Sequence, residues 1–305
     1  MADMKLHNNP LVSIITLNYN QADITCQFLE STKLLSYKNY EIIVCDMNSA
    51  EDPSQKINAM QIPNTTVLVS QTNLGFAAGN NWGMKQANGD YFFIVNNDTE
   101  VTPNLINDLL APFFSDNTMG VTCPKIKYYN HTNIIQYAGF NKMNMYTGRT
   151  TTIGDKEVDK GQYNKSRFTS GAHGCAMMVK KSIIEKTGMF PEIFFLYYEE
   201  WDWSNRIQNA GFKIYYQAKA LILHKESMSV GKNSLIKTYY LNRNRILYIR
   251  RNSNAVQLSI FYFYYFLIAM PKSIFSFLIR GQLNHLLIYL KAIAWNFKHS
   301  SFSKV

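Results

Sequence analysis

Three stretches of the 305-residue chain set polar residues directly behind apolar runs. "NYN" (18–20) closes "LVSIITLNYN", "DMNS" (46–49) closes "YEIIVCDMNS", and "NND" (96–98) closes "YFFIVNND". A turn accounts for any one of them. If the runs are strands of one parallel sheet, all three clusters meet on one edge, outside the carboxyl ends where such sheets bind ligands. Asp98 is then either an ordinary turn residue or a carboxylate placed to hold a metal ion. Phosphate could be bound by a glycine-rich loop, but neither GxxxxGK[ST] nor GxGxxG occurs. "NLGFAAGNNWG" instead spaces Gly75, Gly79 and Gly83 four apart, a bare helix face suited to close packing.

The elements that must position these residues alternate. "LVSIITLNYN" is a continuous apolar run, as a strand buried on both faces requires. "YEIIVCDMNS", "TTVLVS" and "YFFIVNND" read as further strands, with helices over 24–35 and 76–88 between them. Strand–helix alternation predicts an α/β fold with a mostly parallel central sheet and right-handed crossovers. Beyond residue 119, "MGVTCPKIKYY" and "IIQYAGF" read as strands, and the polar stretch 141–168 as a loop over the site. "GCAMMVKKSIIEKTG" reads as a strand turning into a helix stopped by Gly188. "EEWDWSNRIQNAG" is a helix ended by Gly211, and "KIYYQAKALILH" two short strands.

Composition, 47% hydrophobic with scattered charge, fits a folded protein. Cys26, Cys45, Cys123 and Cys175 form no CxxC pair, which fits buried thiols in a reducing compartment. "MADMKLHNNP" has no apolar core of a secretory signal. The net charge of +10 is localised: no Asp or Glu follows Glu226, whereas eleven Lys or Arg fall between Lys232 and Lys304. "VQLSIFYFYYFLIAM", "SIFSFLI" and "HLLIYLKAIAWNF" interleave those charges with aromatic and aliphatic residues, as helices lying in an anionic membrane surface do. A core-packing helical tail is the plainer alternative. Nucleic acid is not expected as a partner, because the basic residues form no concentrated patch.

"VSIITLNYN", "VCDMNS", "NLGFAAGNNWG", "FIVNNDTEV", "GCAMMVKK", "GMFPEIFFLYYEEWDWSNR" and "LILHKESMS" follow one another over roughly residues 11–250. In that order they resemble the blocks of a family 2 glycosyltransferase, in the branch with rhamnosyl- and galactofuranosyltransferases of bacterial surface polysaccharides. The resemblance implies a GT-A fold over 1–250, with 251–305 as a basic, aromatic-rich helical tail associating with the membrane. It also implies inverting transfer from a nucleotide-diphospho-sugar with a divalent metal, Mg2+ or Mn2+. By position, Asp46 matches the acid that hydrogen-bonds the base, and Tyr19 a residue near that base. Asn81 matches the asparagine of the glycine-rich segment. Asn48, Gly75, Gly79, Asn96 and Asn97 belong to the same donor-binding blocks. Asp98 matches the last acid of the DxD metal motif, His224 a histidine completing the metal or diphosphate contacts, and Glu200 the catalytic base.

Two positions depart from the family pattern. Asn96 replaces the first DxD acid, though an amide oxygen still ligates a hard cation. "EE" stands for the family's Glu–Asp, which leaves Glu199 as the alternative base. Like charges and burial around Glu199, Glu200 and Asp202 would raise proton affinity toward a useful range, whereas an acidic helix start favouring the dipole is the structural alternative. Arg206, four after Asp202, fits an ion pair. His173 either lines an acceptor pocket or, more simply, reflects loop polarity; Trp201 and Trp203 suit sugar stacking or core packing equally. Arg243, Arg245, Arg250 and Arg251 suit either an acceptor's diphosphate or a solvated helix face. The expected function is rhamnosyl or other deoxyhexosyl transfer to a lipid-linked saccharide on the cytoplasmic face of the membrane, by a peripheral or monotopic protein. The alternatives are a galactofuranosyl- or hexosyltransferase, a sugar nucleotidyltransferase, or a non-catalytic binding domain.

Overall fold

The computed structural model describes residues 9–225 and 234–301; the first eight residues and the end of "LILHKESMS" lie outside the described residues. The first half follows the expected alternation. β1 (Val12–Asn18), α1 (Ala22–Thr32), β2 (Tyr40–Asp46), α2 (Ser54–Asn58), β3 (Thr65–Val69), α3 (Gly75–Gln86) and β4 (Tyr91–Val95) come in order. β1 is buried nearly throughout because β2 and β4 flank it in parallel and helices cover the faces. α3 lies close on the sheet because its glycines leave no Cβ. At Gly79 a Cβ would stand 2.7 Å from Met47 Sδ, and at Gly83 2.6 Å from Ile15.

The second half is mixed. β5 (Thr99–Val101), α4 (Leu105–Ser115), β6 (Met119–Tyr128), β7 (His131–Tyr137), β8 (Arg167–Phe168), β9 (Ala176–Lys180), α5 (Lys181–Thr187), α6 (Glu199–Asn209) and β10 (Lys213–His224) complete a ten-stranded sheet. Its order is β3-β2-β1-β4-β9-β6-β10-β5, with β7 on β6 and β8 on β10. The parallel expectation therefore holds for the first four strands, and β9 then enters antiparallel to both β4 and β6. "KIYYQAKALILH" is one strand instead of two, because a register shift between Gln217 and Leu221 bends it without breaking it. Residues 141–168 do not line the cleft: Gly148 accepts from the Tyr198 hydroxyl at the start of α6, whereas Asp155, Asp159, Tyr163 and Ser166 bond to β6 and β10.

Four further helices follow: α7 (Leu235–Asn252), α8 (Ala255–Tyr264), α9 (Met270–Ile279) and α10 (Leu283–Lys298), with a π-helical turn, Tyr265–Ala269, joining α8 to α9. Pro271 cannot donate to the carbonyl a turn earlier, which accounts for the widened turn before it. The expected division at 250/251 falls inside α7 and separates nothing. Arg250 donates to Asn296 O and His299 O, and Arg251 to Asp202 and Ser301 O. Tyr289, Ala292 and Ile293 of α10 are buried. Both readings of the arginines give way to a third. Arg243 and Arg245 are buried and donate to backbone carbonyls, so they meet neither solvent nor an accessible diphosphate. On the outward side, Val256, Phe263, Leu267, Phe275, Ile279 and Phe297 are exposed. Residues 255–279 make one 25-residue helical run, long and apolar enough to cross a membrane by length and composition.

Candidate active site

The parallel register sets Asn18 beside Asp46, so two of the three polar clusters meet at the strand ends. Asn18 Nδ2 donates to Asp46 Oδ1 at 2.6 Å, Thr25 Oγ1 donates to Asn18 Oδ1 at 2.7 Å, and Asn97 Nδ2 donates to Thr25 Oγ1 at 2.9 Å. One buried relay thus ties the ends of β1, β2 and β4, and the expected convergence is present. Asp46 itself is fully enclosed. Its oxygens accept from Asn18 and from the Ser49 amide and hydroxyl, at 2.9 and 2.5 Å. A carboxylate so engaged braces the loop and does not line the cleft, so the direct contact with a base expected of it is not made from this arrangement. Asn48 is exposed in the left-handed region and does not line the cleft.

Two more donor-binding expectations are corrected. Asn81 is buried, donates to Phe190 O and Glu192 Oε1, and accepts from Phe190 N, so it fastens the chain below the site. Gly79 serves the α3–sheet contact already described and lies off the cleft wall. Tyr19, Gly75, Asn96, Asn97, Asp98, Glu199, Glu200 and His224 do share one cleft, of about 440 Å3, within the range of small-molecule sites.

Asp98 and His224 are brought together by antiparallel pairing. His224 of β10 faces Thr99 of β5, and the Lys225 amide donates to Asp98 O at 2.8 Å. His224 Nε2 then lies 3.1 Å from Asp98 Oδ1. Both atoms are buried, and beyond this ionic contact neither has a hydrogen-bond partner among the described residues. His224 Nδ1 contacts Gln136 Oε1 at 2.7 Å, which keeps a proton on Nδ1 and leaves Nε2 as the nitrogen that faces Asp98. Burial disfavours a charged His224, yet the Cys175 sulfur and the Asp98 carboxylate outweigh it and raise its proton affinity well above the usual value, so a cation binding here would displace the Nε2 proton. A carboxylate oxygen and an imidazole nitrogen, facing each other and otherwise unsatisfied, fit a divalent cation. Asn96, whose side chain makes no hydrogen bond among the described residues, adds an amide oxygen in the same cleft. No group of three or more His, Cys, Asp or Glu is placed to hold a metal among the described residues, so further ligands would come from the substrate. His173, stacked on Phe140 at 5.5 Å, is pushed down to about 3 by burial and by His224 and stays neutral.

The other wall begins with an unusual approach to α6. Leu196 N donates to Phe194 O at 2.7 Å around Phe195 at φ 61°, ψ −54°, a γ-turn of the rare, strained hand. Tyr197 and Tyr198 follow at φ 69° and 73°. Three non-glycine residues at positive φ cost on the order of 1–3 kcal/mol each and persist only where surroundings enforce them. Directly after them, Glu199 is buried and Glu200 half-buried at the α6 N-terminus, each with Oε2 unpartnered. Burial raises Glu200 to about 7, partly offset by the amides of Glu200 and Tyr198. Burial and the adjacent Glu200 raise Glu199 as well, so the two neighbouring carboxyls share a proton near neutrality. Asp202 is structural as expected, and bonds Arg251 at 2.7 Å in addition to Arg206 at 3.3 Å. Trp201 packs on Phe140 and Gly171, and buried Trp203 donates to Gly188 O, so both belong to the core.

Gln136, Asn244 and Lys237 went unnoticed in the sequence. Nothing local marks Gln136. Asn244 left a trace: Tyr240, Asn244 and Leu247 fall on one face of α7, and a polar residue on that buried face needs partners inside. Lys237, beside Ile236, lines the cleft from the start of α7.

Residues 13–188 match the family model described as glycosyl transferase family 2. An uncharacterised glycosyltransferase of Rickettsia typhi is 25% identical over 188 residues, 60% of this chain and 54% of that protein. An Escherichia coli UDP-Glc:α-D-GlcNAc-diphosphoundecaprenol β-1,3-glucosyltransferase is 34% identical over 32% of this chain and 40% of its own length. A low-salt glycan biosynthesis hexosyltransferase of Haloferax volcanii is 24% identical over 77% of this chain and 74% of its own. The matches thus span only about two-fifths to one-half of the first of these curated relatives. Among solved structures, a Pyrobaculum calidifontis mannosyltransferase with GDP-Man and Mn2+ superposes at TM-score 0.59 with 15% identity, covering 97% of this chain and 77% of that one. GalNAc-T7 with UDP, GalNAc and Mn2+ superposes at 0.62 with 13% identity, over 86% and 57%. The architecture is the GT-A fold.

Proposed function

The chain belongs to glycosyl transferase family 2, and from that premise we propose that it moves a sugar from a nucleotide-diphospho-sugar to a lipid-linked saccharide, inverting the anomeric carbon. One observation carries the reading: a single cleft holds the unsatisfied Asp98–His224 pair and a carboxylate, Glu200, poised to exchange a proton near neutrality. Glu200 takes the acceptor hydroxyl's proton as that oxygen attacks the anomeric carbon, and the electron pair of the breaking C–O bond leaves with the diphosphate. A divalent cation, Mg2+ or Mn2+, held by Asp98 and His224 with Asn96 nearby, supplies positive charge to that leaving group when bound. Tyr19 offers an aromatic face to the nucleoside, and Lys237 a positive charge at the rim.

Rhamnose or another deoxyhexose remains the favoured donor sugar from the resemblance of the sequence blocks. The relatives named for glucosyl and hexosyl transfer support a second reading, a hexose. A sugar nucleotidyltransferase would place a glycine-rich, Arg-containing loop after β1, where this chain has "NYNQAD". Incubating the protein with a panel of nucleotide-sugars and a diphospholipid-linked saccharide, with Mn2+ or EDTA, tests the reading. Metal-dependent transfer with an inverted anomeric centre is expected; nucleotide binding without turnover would favour a non-catalytic domain.

Residues 255–301 are read as seating the protein on an anionic membrane surface, on the cytoplasmic side where nucleotide-sugars are made. The support is the exposed apolar row with Lys272, Arg280, Lys291 and Lys298 interspersed. Because α10 also packs on α7, removing it would damage the fold, so substitution tests the idea better than deletion. Phe263→Asp with Leu267→Asp should release the protein from phosphatidylserine vesicles while leaving its melting temperature unchanged. Undiminished sedimentation with vesicles would count against the surface.

A further inference from the structure

We propose that Asn244 is the positioning residue for the base, acting from α7 through the backbone that carries Glu200. The inference rests on Glu200 being that base. The entry to α6 is a strained path, and its carbonyls are gathered from a single point. Asn244 Nδ2 lies 2.9 Å from Phe194 O, 2.7 Å from Leu196 O and 2.8 Å from Tyr197 O. Two amide hydrogens therefore serve three carbonyls, which a left-handed coil can turn toward one donor and an extended chain cannot. Arg243 fixes the orientation of that amide, since its Nε donates to Asn244 Oδ1 at 2.7 Å. The same guanidinium donates through Nη2 to Ile193 O and Phe194 O, at 2.6 and 2.7 Å. Asn244 has no accessible surface, so water cannot replace it.

The clamp acts on the base and makes no side-chain hydrogen bond to the strand ends of the donor wall. Tyr198 directly follows the clamped carbonyls and is the residue before α6; Glu199 and Glu200 are the first two residues of the helix. Rotation of the 196–198 peptides thus swings both carboxylates together. Asp98 in the β4–β5 turn and His224 and Gln136 on their strands share none of the side-chain hydrogen bonds of Asn244. Loss of the clamp should therefore lower turnover while sparing metal-dependent donor binding.

The experiment compares Asn244→Ser and Asn244→Asp with wild type and with Glu200→Gln. Asn244→Ser leaves a short hydroxyl, and Asn244→Asp keeps the shape but turns a carboxylate toward three carbonyls. A displacement of about 1 Å costs roughly a hundredfold in rate, so kcat should fall by about that factor in Asn244→Ser. KM and Mn2+-dependent binding of the nucleotide-sugar should stay within a few-fold, and the acid limb of the kcat–pH profile should move. In the Glu200→Gln background, Asn244→Ser should lower the residual rate little further, since positioning is idle without the base. If Asn244→Ser keeps wild-type kcat while Glu200→Gln is inactive, the proposal fails and the base assignment stands. Retention of turnover by Glu200→Gln would bring down the base assignment instead. If donor binding and transfer fall together in both Asn244 variants, the residue supports the whole fold, and the positioning role is overturned.

Discussion

The two walls of the cleft are made differently. The donor wall is the carboxyl edge of a sheet: Asn18, Asn97 and Asp98 stand at or just past the ends of regular strands, and a buried hydrogen-bond relay fixes the strand ends. The opposite wall is a loop with three left-handed residues, and its carboxylates reach the cleft only because α7 holds the backbone there. A sheet edge positions its residues by register, which tolerates change elsewhere. A clamped loop positions them by enforced conformation, so its accuracy depends on a few remote side chains.

If that contrast is right, Asp98→Ala should have the largest effect. It removes the carboxylate facing His224 Nε2, and metal-dependent donor binding and transfer should vanish together, by about a thousandfold or more. Titration calorimetry with nucleotide-sugar and Mn2+ checks it; unchanged binding would place the metal elsewhere. Glu200→Gln should do the reverse, retaining binding and lowering kcat by roughly a hundred- to ten-thousandfold. The pH dependence sharpens this. Glu200 must be ionised to act, so wild-type kcat should climb as pH rises through about 7, and the glutamine variant should lose that limb. Stability has the opposite sign. A carboxyl raised by burial binds its proton more tightly folded than unfolded, so folding weakens as pH rises from the ordinary carboxylate range through 7. Glu200→Gln should therefore melt above wild type at pH 8, an inactive but more stable protein.

Gln136→Leu tests the donor wall more finely. It removes the acceptor for His224 Nδ1 and frees the ring to place its proton on Nε2, toward Asp98. Partners of this kind are worth roughly ten- to a hundredfold in metal affinity. The expected loss is in Mn2+ affinity, with kcat at saturating metal close to wild type. A fall in kcat alone would mean that the glutamine acts on the acceptor side.

The walls were unequally legible in the sequence, for the same reason that they differ. Period and polarity place β1, β2 and β4 and their polar ends, so the convergence and Asp98 could be read directly. The acids of α6 could be read as well, because a helix start and its carboxylates are local features. Asp46 could not, since only atomic contacts reveal that Ser49 and Asn18 enclose it behind the cleft. Asn81 and Gly79 matched a motif whose residues here serve packing. α4 was missed because Pro112, inside its last turns, breaks the usual helix pattern. The clamp was hidden by distance, with Asn244 and Tyr197 47 residues apart and joined only by tertiary contact.

Gly75 sits at the seam between the walls and carries the smallest predicted effect. It opens α3 at φ 74°, and a Cβ there would stand 2.5 Å from Phe195 Cδ2. The Phe195 ring cannot swing away freely, because it stacks on Tyr240 at 4.9 Å, and Phe195 O accepts from Phe76 N at 2.7 Å. Gly75→Ala therefore presses the sheet-borne helix against the strained loop. The positive φ alone costs about 1 kcal/mol, and relief of the contact by the loop adds to it. A melting temperature lowered by a few degrees is expected. If the donor wall is the stiffer one, the strain should appear as a several-fold lower kcat with donor affinity little changed. The opposite pattern, weakened donor binding with normal turnover, would mean that α3 yields first and that the loop is the rigid wall.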